Sequence, residues 1–456
     1  MDQPNIILII LDTLRKDVLP MYGGNAYTPN LSEFAKDAVV FQNAIAPAPW
    51  TLPSHASFFT GLYPREHGIH DDCDEQDYRK LLNKIDDYNG KNLIKDLKNK
   101  GYNTVGFSAN PVISSYSGFD KYFNLFISYP ADYVSVEVSE LFKKLHIYGN
   151  NKNKIELAMD ILSNEGFRAL KNYYDIYKKF KRNQKIAGFP YNKQSDNIVN
   201  NIIESSFEQP FFMFINFMEV HEPVSMYEVK NNPNTYMDIA GIKLISEKNM
   251  NKIRAGYKKS LKNLDQQFGR LMKFLKKLKI YENTLIIVTS DHGQAFKEPQ
   301  KYPFYGHAGF LYDEIIKVPL IIKFPNNLKI EKKEGYQNLI YIPSLIENVM
   351  DGNYIDSLTR EVTFSESFAG PNFKNLLEQN IISRKKFEEL MNKFCYPRKA
   401  VYKNGYKLVI NGLNGEIDEF RYKEKNIDPK ENKDVLDDLL DELDIFKGIE
   451  KFVVKK

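Results

Sequence analysis

Acidic and imidazole side chains follow directly after two apolar runs of the chain. Asp12 follows the run 6–11, and Asp291 and His292 follow the run 284–289. In open α/β sheets, ligands bind beyond the carboxyl ends of the strands, so residues at these exits are candidates for a site. For Asp12 alone, a turn or helix-cap role is the structural alternative.

These three residues offer two carboxylates and one imidazole. This set suits Zn²⁺ or Mn²⁺ better than Ca²⁺ or Mg²⁺, which prefer oxygen ligands alone. The sequence therefore predicts at least one divalent ion, bound by Asp12, Asp291 and His292, and leaves a second ion open.

Thr51 opens a predicted helix after the proline-rich segment 46–50. A hydroxyl at a helix N-terminus beside a cation is favoured as its alkoxide by both the macrodipole and the metal. Thr51 is therefore predicted to be a further metal ligand and a nucleophile. The structural alternative is an ordinary N-cap with Pro53 in the first turn.

Three histidines are candidates for binding a tetrahedral anion. His55 lies one helical turn after Thr51 and shares its face, so it is expected to donate to that anion. His221 follows the apolar run 211–218, and His307 lies between glycines in a loop. Each has a structural alternative as a buried, hydrogen-bonded histidine. Whether His221, His307 and Glu219 hold a second metal is left open.

The intervening residues predict an α/β fold. Continuous apolar runs at 6–11, 211–217, 284–289 and 318–324 are typical of strands buried on both faces. Helical patterns lie between them at 31–40, 90–100 and 260–278. This alternation predicts a large, mainly parallel sheet flanked by helices.

Two other regions have a different pattern. Residues 130–205 are rich in Lys and Asn and predict an insertion with helices at 134–145 and 154–181. After Pro325, strand patterns at 362–364, 399–402 and 406–411 precede a final helix at 434–446. We therefore predict a catalytic domain over 1–325 and a smaller C-terminal α+β subdomain over 326–456.

Composition excludes several classes of protein. The 456 residues include 63 Lys and Arg against 59 Asp and Glu, with the signs interspersed, which is unlike a nucleic-acid-binding face. No apolar run approaches the ~20 residues of a membrane span. The two cysteines, Cys73 and Cys395, are far apart and fit a reducing compartment, so a cytoplasmic location is expected. The oligomeric state is left open.

Short motifs then run in a fixed order along most of the chain outside the insertion. They are Asp12-Thr13-Leu14-Arg15, Thr28-Pro29-Asn30-Leu31, residues 49–68, Gly101-Tyr102-Asn103-Thr104, His221-Glu222-Pro223, Ser290-Asp291-His292-Gly293, Gly306-His307, residues 311–314 with Val318-Pro319-Leu320, and residues 402–429. Together these motifs make the chain resemble the sulfatase-like members of the alkaline phosphatase superfamily.

The resemblance implies an alkaline-phosphatase-like α/β sandwich with a smaller C-terminal domain. It also implies that Asp12, Asp291 and His292 bind a catalytic metal and that Thr51 is the nucleophile touching it. His55, His221 and His307 would line the pocket for the anion.

The chain departs from true sulfatases at several positions. Sulfatases carry Cys or Ser where Thr51 stands, for conversion to formylglycine, and Pro-Ser-Arg shortly after it; here the stretch reads Thr-Leu-Pro-Ser-His. They also carry a second Asp where Thr13 stands, often an Asn where His292 stands, and a Lys-x-His element where this chain has residues 107–111. No formylglycine can form. A threonine nucleophile looks more like the phosphodiesterase and phosphoglycerol or phosphoethanolamine transferase branch.

The expected function is metal-assisted attack of Thr51 on a phosphate ester or diester, followed by transfer of the phosphoryl group to water or a sugar hydroxyl. The expected partner is a small-molecule or glycan phosphate (or sulfate) ester. Two alternatives stay open: a sulfatase that does not use formylglycine, and an inactive metal- or glycan-binding protein on the same scaffold.

Overall fold

The computed structural model describes most of the chain. The described residues are 3–70, 84–85, 88–129, 190–231, 235–242, 244–298, 304–307, 309–327, 334–352, 358–368, 370–371 and 373–447, together with residues 159, 162, 163 and 171. The helices predicted inside the insertion lie outside these residues, apart from the four single positions. Among the described helices, none is long and apolar enough to cross a membrane.

The strands have the following bounds: β1 Asn5–Leu11, β2 Val39–Phe41, β3 Ala44–Ile45, β4 Asn103–Ser108, β5 Leu125–Ser128, β6 Phe211–Phe217, β7 Thr284–Thr289, β8 Ala295–Phe296, β9 Tyr305–Gly306, β10 Leu320–Lys323, β11 Tyr336–Asn338, β12 Thr359–Arg360, β13 Val362–Ser367, β14 Arg398–Lys403, β15 Tyr406–Asn411, β16 Ile417–Tyr422 and β17 Lys425–Asn426.

The α-helices have the following bounds: α1 Pro29–Phe34, α2 Thr51–Thr60, α3 Pro64–His67, α4 Leu93–Asn99, α5 Ser195–Glu204, α6 Met226–Asn231, α7 Thr235–Ile239, α8 Glu247–Lys277, α9 Asp313–Ile316, α10 Ile342–Met350, α11 Lys374–Glu378, α12 Arg384–Phe394 and α13 Lys433–Lys447.

The main sheet has the strand order β2-β10-β7-β1-β6-β4-β5. The five strands from β7 to β5 are mutually parallel, whereas β10 runs antiparallel to both β7 and β2. Helices cover both faces, and alternate residues of β1 enter two separate cores, with Ile7 and Ile9 in one and Leu8 and Ile10 in the other. The predicted α/β class with a mainly parallel sheet is confirmed.

The strand predictions at 6–11, 211–217 and 284–289 are confirmed, and these strands form the centre of the sheet. The run 318–324 forms the shorter, antiparallel β10, because a strand buried on both faces has the same apolar pattern in either direction. Strands β4 and β5 were not predicted. In β4, polar and small residues interrupt the apolar pattern, as in its sequence Asn-Thr-Val-Gly-Phe-Ser.

Two helix predictions differ from the structure in their bounds. The helix predicted at 31–40 ends at Phe34, and Val39 and Val40 instead pair with β10. The helix predicted at 260–278 begins earlier, at Glu247, because Met250 and Ile253 extend its buried stripe toward the N-terminus.

The C-terminal residues form a five-stranded antiparallel sheet of order β13-β14-β15-β16-β17. Helix α13 packs on this sheet through Leu439 and Leu443. Strand β11, which follows Pro325, pairs with β3 beside the main sheet. The domain division at residue 325 stays a prediction.

Candidate active site

The predicted metal ligands lie together at the carboxyl ends of two adjacent strands. Asp12 follows β1, and Asp291 and His292 follow β7, which pairs with β1 in parallel. One ligand atom from each side chain lies within 4.8 Å of the others, and all three residues are fully buried. Within the described part of the chain, these residues form the one cluster of three or more His, Cys, Asp or Glu side chains with metal-binding spacing.

Both carboxylate oxygens of Asp12 accept a hydrogen bond from a neutral side chain. Thr13 Oγ1 donates to Oδ1 at 2.8 Å, and Asn110 Nδ2 donates to Oδ2 at 2.6 Å. Burial acts to raise the pKa of Asp12, but the neighbouring His221, His292 and other imidazoles outweigh it and lower the pKa below its ordinary value. Asp12 is therefore held as a carboxylate in a fixed orientation.

Asp291 has one satisfied oxygen and one orphaned oxygen. Its Oδ1 accepts the backbone N–H groups of Thr13, at 3.2 Å, and of His292, at 2.9 Å. Its Oδ2 is buried without a hydrogen-bond donor, 3.5 Å from His292 Nε2 and 3.7 Å from His55 Nδ1. Burial, reinforced by the charge of Asp12, raises the pKa of Asp291 to about 7. A buried oxygen of this kind requires a partner, and a cation beside His292 Nε2 supplies one, so the residues fit a divalent metal.

The loop after β7 is held tightly against α9. The backbone N–H of Gly293 donates to Ile315 O at 2.6 Å, and that of Gln294 donates to Glu314 O at 3.0 Å. A Cβ at position 293 would lie 2.1 Å from Glu314 O, so a glycine is required there. Because the loop follows the backbone of α9 so closely, the orientation of His292 is fixed.

Thr51 is the first residue of α2, and its side chain faces the cluster. Its Oγ1 lies 3.3 Å from His292 Nε2, and the residue is 5% exposed. The N-cap position is occupied by Trp50, whose side chain makes no capping hydrogen bond. The ordinary N-cap alternative for Thr51 is therefore not what the structure shows.

The imidazole of His55 is engaged by the protein at both nitrogens. Its Nδ1 donates to Thr51 O at 2.8 Å, and its Nε2 accepts from Asn216 Nδ2 at 3.1 Å. The ring is fully buried against Phe58 and Phe214. Burial lowers the pKa of His55, in keeping with the neutral tautomer that these two bonds assign. The contact with an anion predicted for His55 stays a prediction.

His221 and His307 each use Nδ1 for anchoring. Nδ1 of His221 donates to Glu222 O at 2.8 Å, and Nδ1 of His307 donates to Gln294 Oε1 at 2.7 Å. The ring centre of His307 lies 4.4 Å from that of His292 and 5.4 Å from that of His221. In these tautomers Nε2 of each ring is an acceptor, which becomes a donor when the ring takes up a proton.

Sequence reasoning assigned no role to several residues that position the site. Asn216 is recognisable only as the one polar residue in the apolar strand β6, and Asn110 follows β4, which was not predicted. Tyr257 OH accepts from Arg15 N at 2.9 Å and donates to Thr13 O at 3.0 Å, which ties the loop after β1 to α8.

Glu219, considered in the sequence for a second metal, uses Oε1 to accept two backbone N–H groups. These belong to Lys193 and Ser195, each at 2.9 Å. His67, the last residue of α3, bonds to Ser57 Oγ at 3.1 Å and accepts the N–H of Ile69 at 2.9 Å. Glu219 Oε2 is buried without a hydrogen-bond donor, whereas both ring nitrogens of His67 are occupied by protein groups.

The sheet order and the cluster of Asp12, Asp291 and His292, which could hold a metal ion, match a sulfatase-like hydrolase of the alkaline phosphatase superfamily. Residues 4–351 match the sulfatase family model, and the chain belongs to the sulfatase family.

The names of curated relatives agree with this membership, and a solved structure shares the fold. The chain is 23% identical to an arylsulfatase of Clostridium perfringens over 83% of this chain and 79% of the relative. It is 24% identical to an N-acetylglucosamine-6-O-sulfatase of Bacteroides thetaiotaomicron over 72% of this chain and 64% of the relative. Its fold matches a phosphonate monoester hydrolase of Silicibacter pomeroyi with a TM-score of 0.62 and 16% identity, covering 99% of this chain and 96% of that one.

Proposed function

We propose that this sulfatase-family hydrolase cleaves phosphate esters or diesters through a covalent intermediate on Thr51. The observation that carries the proposal is the position of Thr51 Oγ1, 3.3 Å from His292 Nε2 at the N-terminus of α2. A threonine cannot be converted to formylglycine, so the nucleophile proposed here is the unmodified Thr51 hydroxyl.

The metal proposed for this site is Zn²⁺ or Mn²⁺. Asp12 accepts a hydrogen bond on each oxygen and Asp291 accepts two on Oδ1, so each is expected to contribute a single oxygen. With His292 Nε2 and Thr51 Oγ1, this gives a small set of mixed ligands, unlike the six to eight oxygens typical of Ca²⁺. A bound divalent ion would polarise the phosphoryl oxygen and favour the ionised Thr51 hydroxyl.

The protein groups divide the remaining work. Thr51 Oγ1, deprotonated at the helix N-terminus, forms the new bond to phosphorus as the bond to the leaving oxygen breaks. The leaving oxygen takes its proton from Nε2 of protonated His221, whose Nδ1 is anchored. Burial and the neighbouring imidazoles of His292 and His221 lower the pKa of His307 well below its ordinary value, so His307 is proposed to contact the anion as a neutral ring. The neutral imidazole of His221 then accepts a proton from the water or sugar hydroxyl that attacks phospho-Thr51, and the bond between phosphorus and Thr51 Oγ1 breaks, which regenerates the ionised Thr51 hydroxyl. His55, through its bond to Thr51 O, holds the first turn of α2 in place.

A sulfatase that works without formylglycine is the second candidate. The family match and the names of the curated relatives favour it. By analogy with those relatives, the substrate is proposed to be a glycan or a small ester. The cytoplasmic location predicted from composition also stays a proposal.

The test compares hydrolysis of a bis-aryl phosphate and an aryl sulfate by the metal-loaded protein. We expect the phosphate diester to be the better substrate and Thr51→Ala to abolish turnover while metal content stays unchanged. Thr60→Ala is the matched control, because Thr60 lies at the other end of α2 and bonds to Ala56 O. Acid quenching during turnover should trap a phosphorylated peptide containing Thr51.

Three outcomes would contradict the proposal. Full activity of Thr51→Ala removes the nucleophile. Faster cleavage of the aryl sulfate favours the second candidate. Stoichiometric metal with no turnover of either ester favours the inactive, metal-binding alternative.

A further inference from the structure

Lys193 is a fully buried lysine near the candidate site, and nothing in the proposed mechanism uses it. It is 1% exposed and lies just before α5, in the last part of the predicted insertion. Burying an ammonium group is costly unless its protons are hydrogen-bonded, so its partners indicate what it does.

The ammonium of Lys193 donates to two carbonyl groups of a single turn. Its Nζ bonds to Glu219 O at 3.3 Å and also to His221 O at the other end of the turn. In return, Glu219 Oε1 accepts the backbone N–H groups of Lys193 and Ser195, each at 2.9 Å. We call these four hydrogen bonds the 193–221 bracket.

The bracket holds the backbone from which the His221 ring extends. His221 N bonds to Met218 O at 3.1 Å, which closes the turn, and His221 Nδ1 bonds to Glu222 O at 2.8 Å. The ring therefore has a fixed direction only while the turn keeps its shape. Lys193 Nζ donates to Glu219 O and to His221 O, so loss of the ammonium group leaves the His221 end of the turn without this hydrogen bond.

We infer that Lys193 is a positioning residue for His221, acting through the backbone of the turn 218–221. The inference rests on the proposed function only for the effect on turnover, because the placement of the His221 ring can be measured without it. The hydrogen bonds of Lys193 also connect the turn 218–221 to the last residues of the predicted insertion.

A second buried lysine provides a matched control. Lys323 in β10 is fully buried, and its Nζ donates to Tyr281 O at 2.6 Å and to Glu282 O at 2.7 Å. Lys323 resembles Lys193 in being a buried lysine that donates to backbone carbonyls. Its partners Tyr281 and Glu282 precede β7, however, and so lie at the end of the sheet opposite to the site. Lys193→Met and Lys323→Met remove equivalent groups from the two ends.

The experiment measures kcat and KM on the bis-aryl phosphate, the dissociation constant for inorganic vanadate, and the ¹H–¹³C ring signal of His221 in each metal-loaded variant. We expect Lys193→Met to lower kcat by about 10- to 100-fold, with KM and the vanadate constant changed by about twofold at most, because small misplacements of catalytic groups have effects of this size. The His221 signal should shift or broaden. Lys323→Met should lose stability but keep kcat and the His221 signal.

Several results would overturn the inference. The inference fails if Lys193→Met has the same kcat and the same His221 signal as the wild type. It also fails if Lys323→Met loses as much kcat as Lys193→Met. A rise of more than about 10-fold in KM and the vanadate constant with kcat unchanged would mean that Lys193 contacts the anion directly.

Two further arrangements keep the inference testable. If Lys193→Met does not fold, Glu219→Ala removes the other half of the bracket, and an unchanged kcat and His221 signal in that variant would refute the inference. If the wild type shows no turnover, the proposed function fails, and the His221 signal alone decides the role of Lys193.

Discussion

Replacing Asp291 by Asn is expected to stabilise the metal-free protein and to remove its stabilisation by metal. In the metal-free protein Asp291 Oδ2 is buried without a donor, so a charged carboxylate is unfavourable there. An Asn carbonyl can still accept the N–H groups that Oδ1 accepts, and the neutral amide removes the buried charge. With metal present the preference reverses, because the carboxylate is then the better ligand.

The size of the effect follows from the pKa of Asp291. Burial raises it from 3.8 to about 7. Since the folded-state pKa lies above the unfolded value, this group contributes stability below the unfolded pKa and loses it as pH rises through about 7. The difference of about 3 units, at about 1.4 kcal/mol per unit, gives an upper limit of about 4 kcal/mol above the folded pKa.

The assay is urea unfolding after treatment with EDTA, at about pH 5 and about pH 8.5, followed by titration with Zn²⁺ or Mn²⁺. Asp291→Asn should have a larger free energy of unfolding than the wild type at about pH 8.5. The difference between the two proteins should be smaller at about pH 5. Added metal should stabilise the wild type strongly, by about 2.7 kcal/mol when its concentration is 100 times the dissociation constant. The variant should gain little from the same addition.

Glu366→Gln is the matched control for the charge effect. Glu366 is also buried, its Oε1 lacks a hydrogen-bond donor, and burial raises its pKa to about 7. It is not part of the metal cluster, so Glu366→Gln should keep the full response to metal. Its pH-dependent gain should have the same sign but a smaller size, because the pKa of Glu366 rises from 4.5 rather than 3.8 and because Arg65 Nε and Lys399 Nζ lie 3.9 and 4.0 Å from Oε1. The reasoning fails if metal-free Asp291→Asn is less stable than the wild type at about pH 8.5, or if metal stabilises the two proteins equally.

Two further substitutions test the framework of the site. Gly293→Ala places a Cβ 2.1 Å from Glu314 O, so it should lower the free energy of unfolding by about 1–3 kcal/mol. It should also weaken metal binding, measured by competition with a chelator. Unchanged metal affinity would mean that the loop does not fix the ligands. Tyr257→Phe leaves Thr13 O and Arg15 N without their buried partner, so it should lower the free energy of unfolding, measured in urea, by about 1–3 kcal/mol. A decrease of less than about 0.3 kcal/mol would contradict the role of Tyr257 in holding this loop.

The strands that carry the cluster could be predicted because each is a continuous apolar run followed by a polar residue. Asp12 and Asp291 stand where such runs stop, and adjacent parallel strands end at the same edge of the sheet. The same rule could not find Asn110, because polar and small residues interrupt the apolar pattern of β4. Apolar runs therefore identify β1, β6, β7 and β10 but miss β4 and β5.

Side-chain partners were harder to predict than positions. His55 was correctly placed one turn after Thr51, but the sequence contains no sign that Asn216, from a distant strand, bonds to its Nε2. Glu219 lies at a strand exit, as a ligand would, yet its carboxylate accepts backbone N–H groups of the segment before α5. Local spacing fixes which residues are neighbours along one element, whereas contacts between elements depend on the packing of the whole chain.

Two departures from the sulfatase pattern meet at one carboxylate. Thr13 stands where sulfatases carry a second Asp, Asn110 lies in the segment that replaces Lys-x-His, and each donates a hydrogen bond to one oxygen of Asp12. Because both donors are neutral, the cluster has only the two negative charges of Asp12 and Asp291, which balance one divalent cation. Glu219 is not part of this cluster: its Oε1 accepts two backbone N–H groups, and its Oε2 is buried without a hydrogen-bond donor. The two negative charges of the cluster match the single divalent ion on which the proposed function is built.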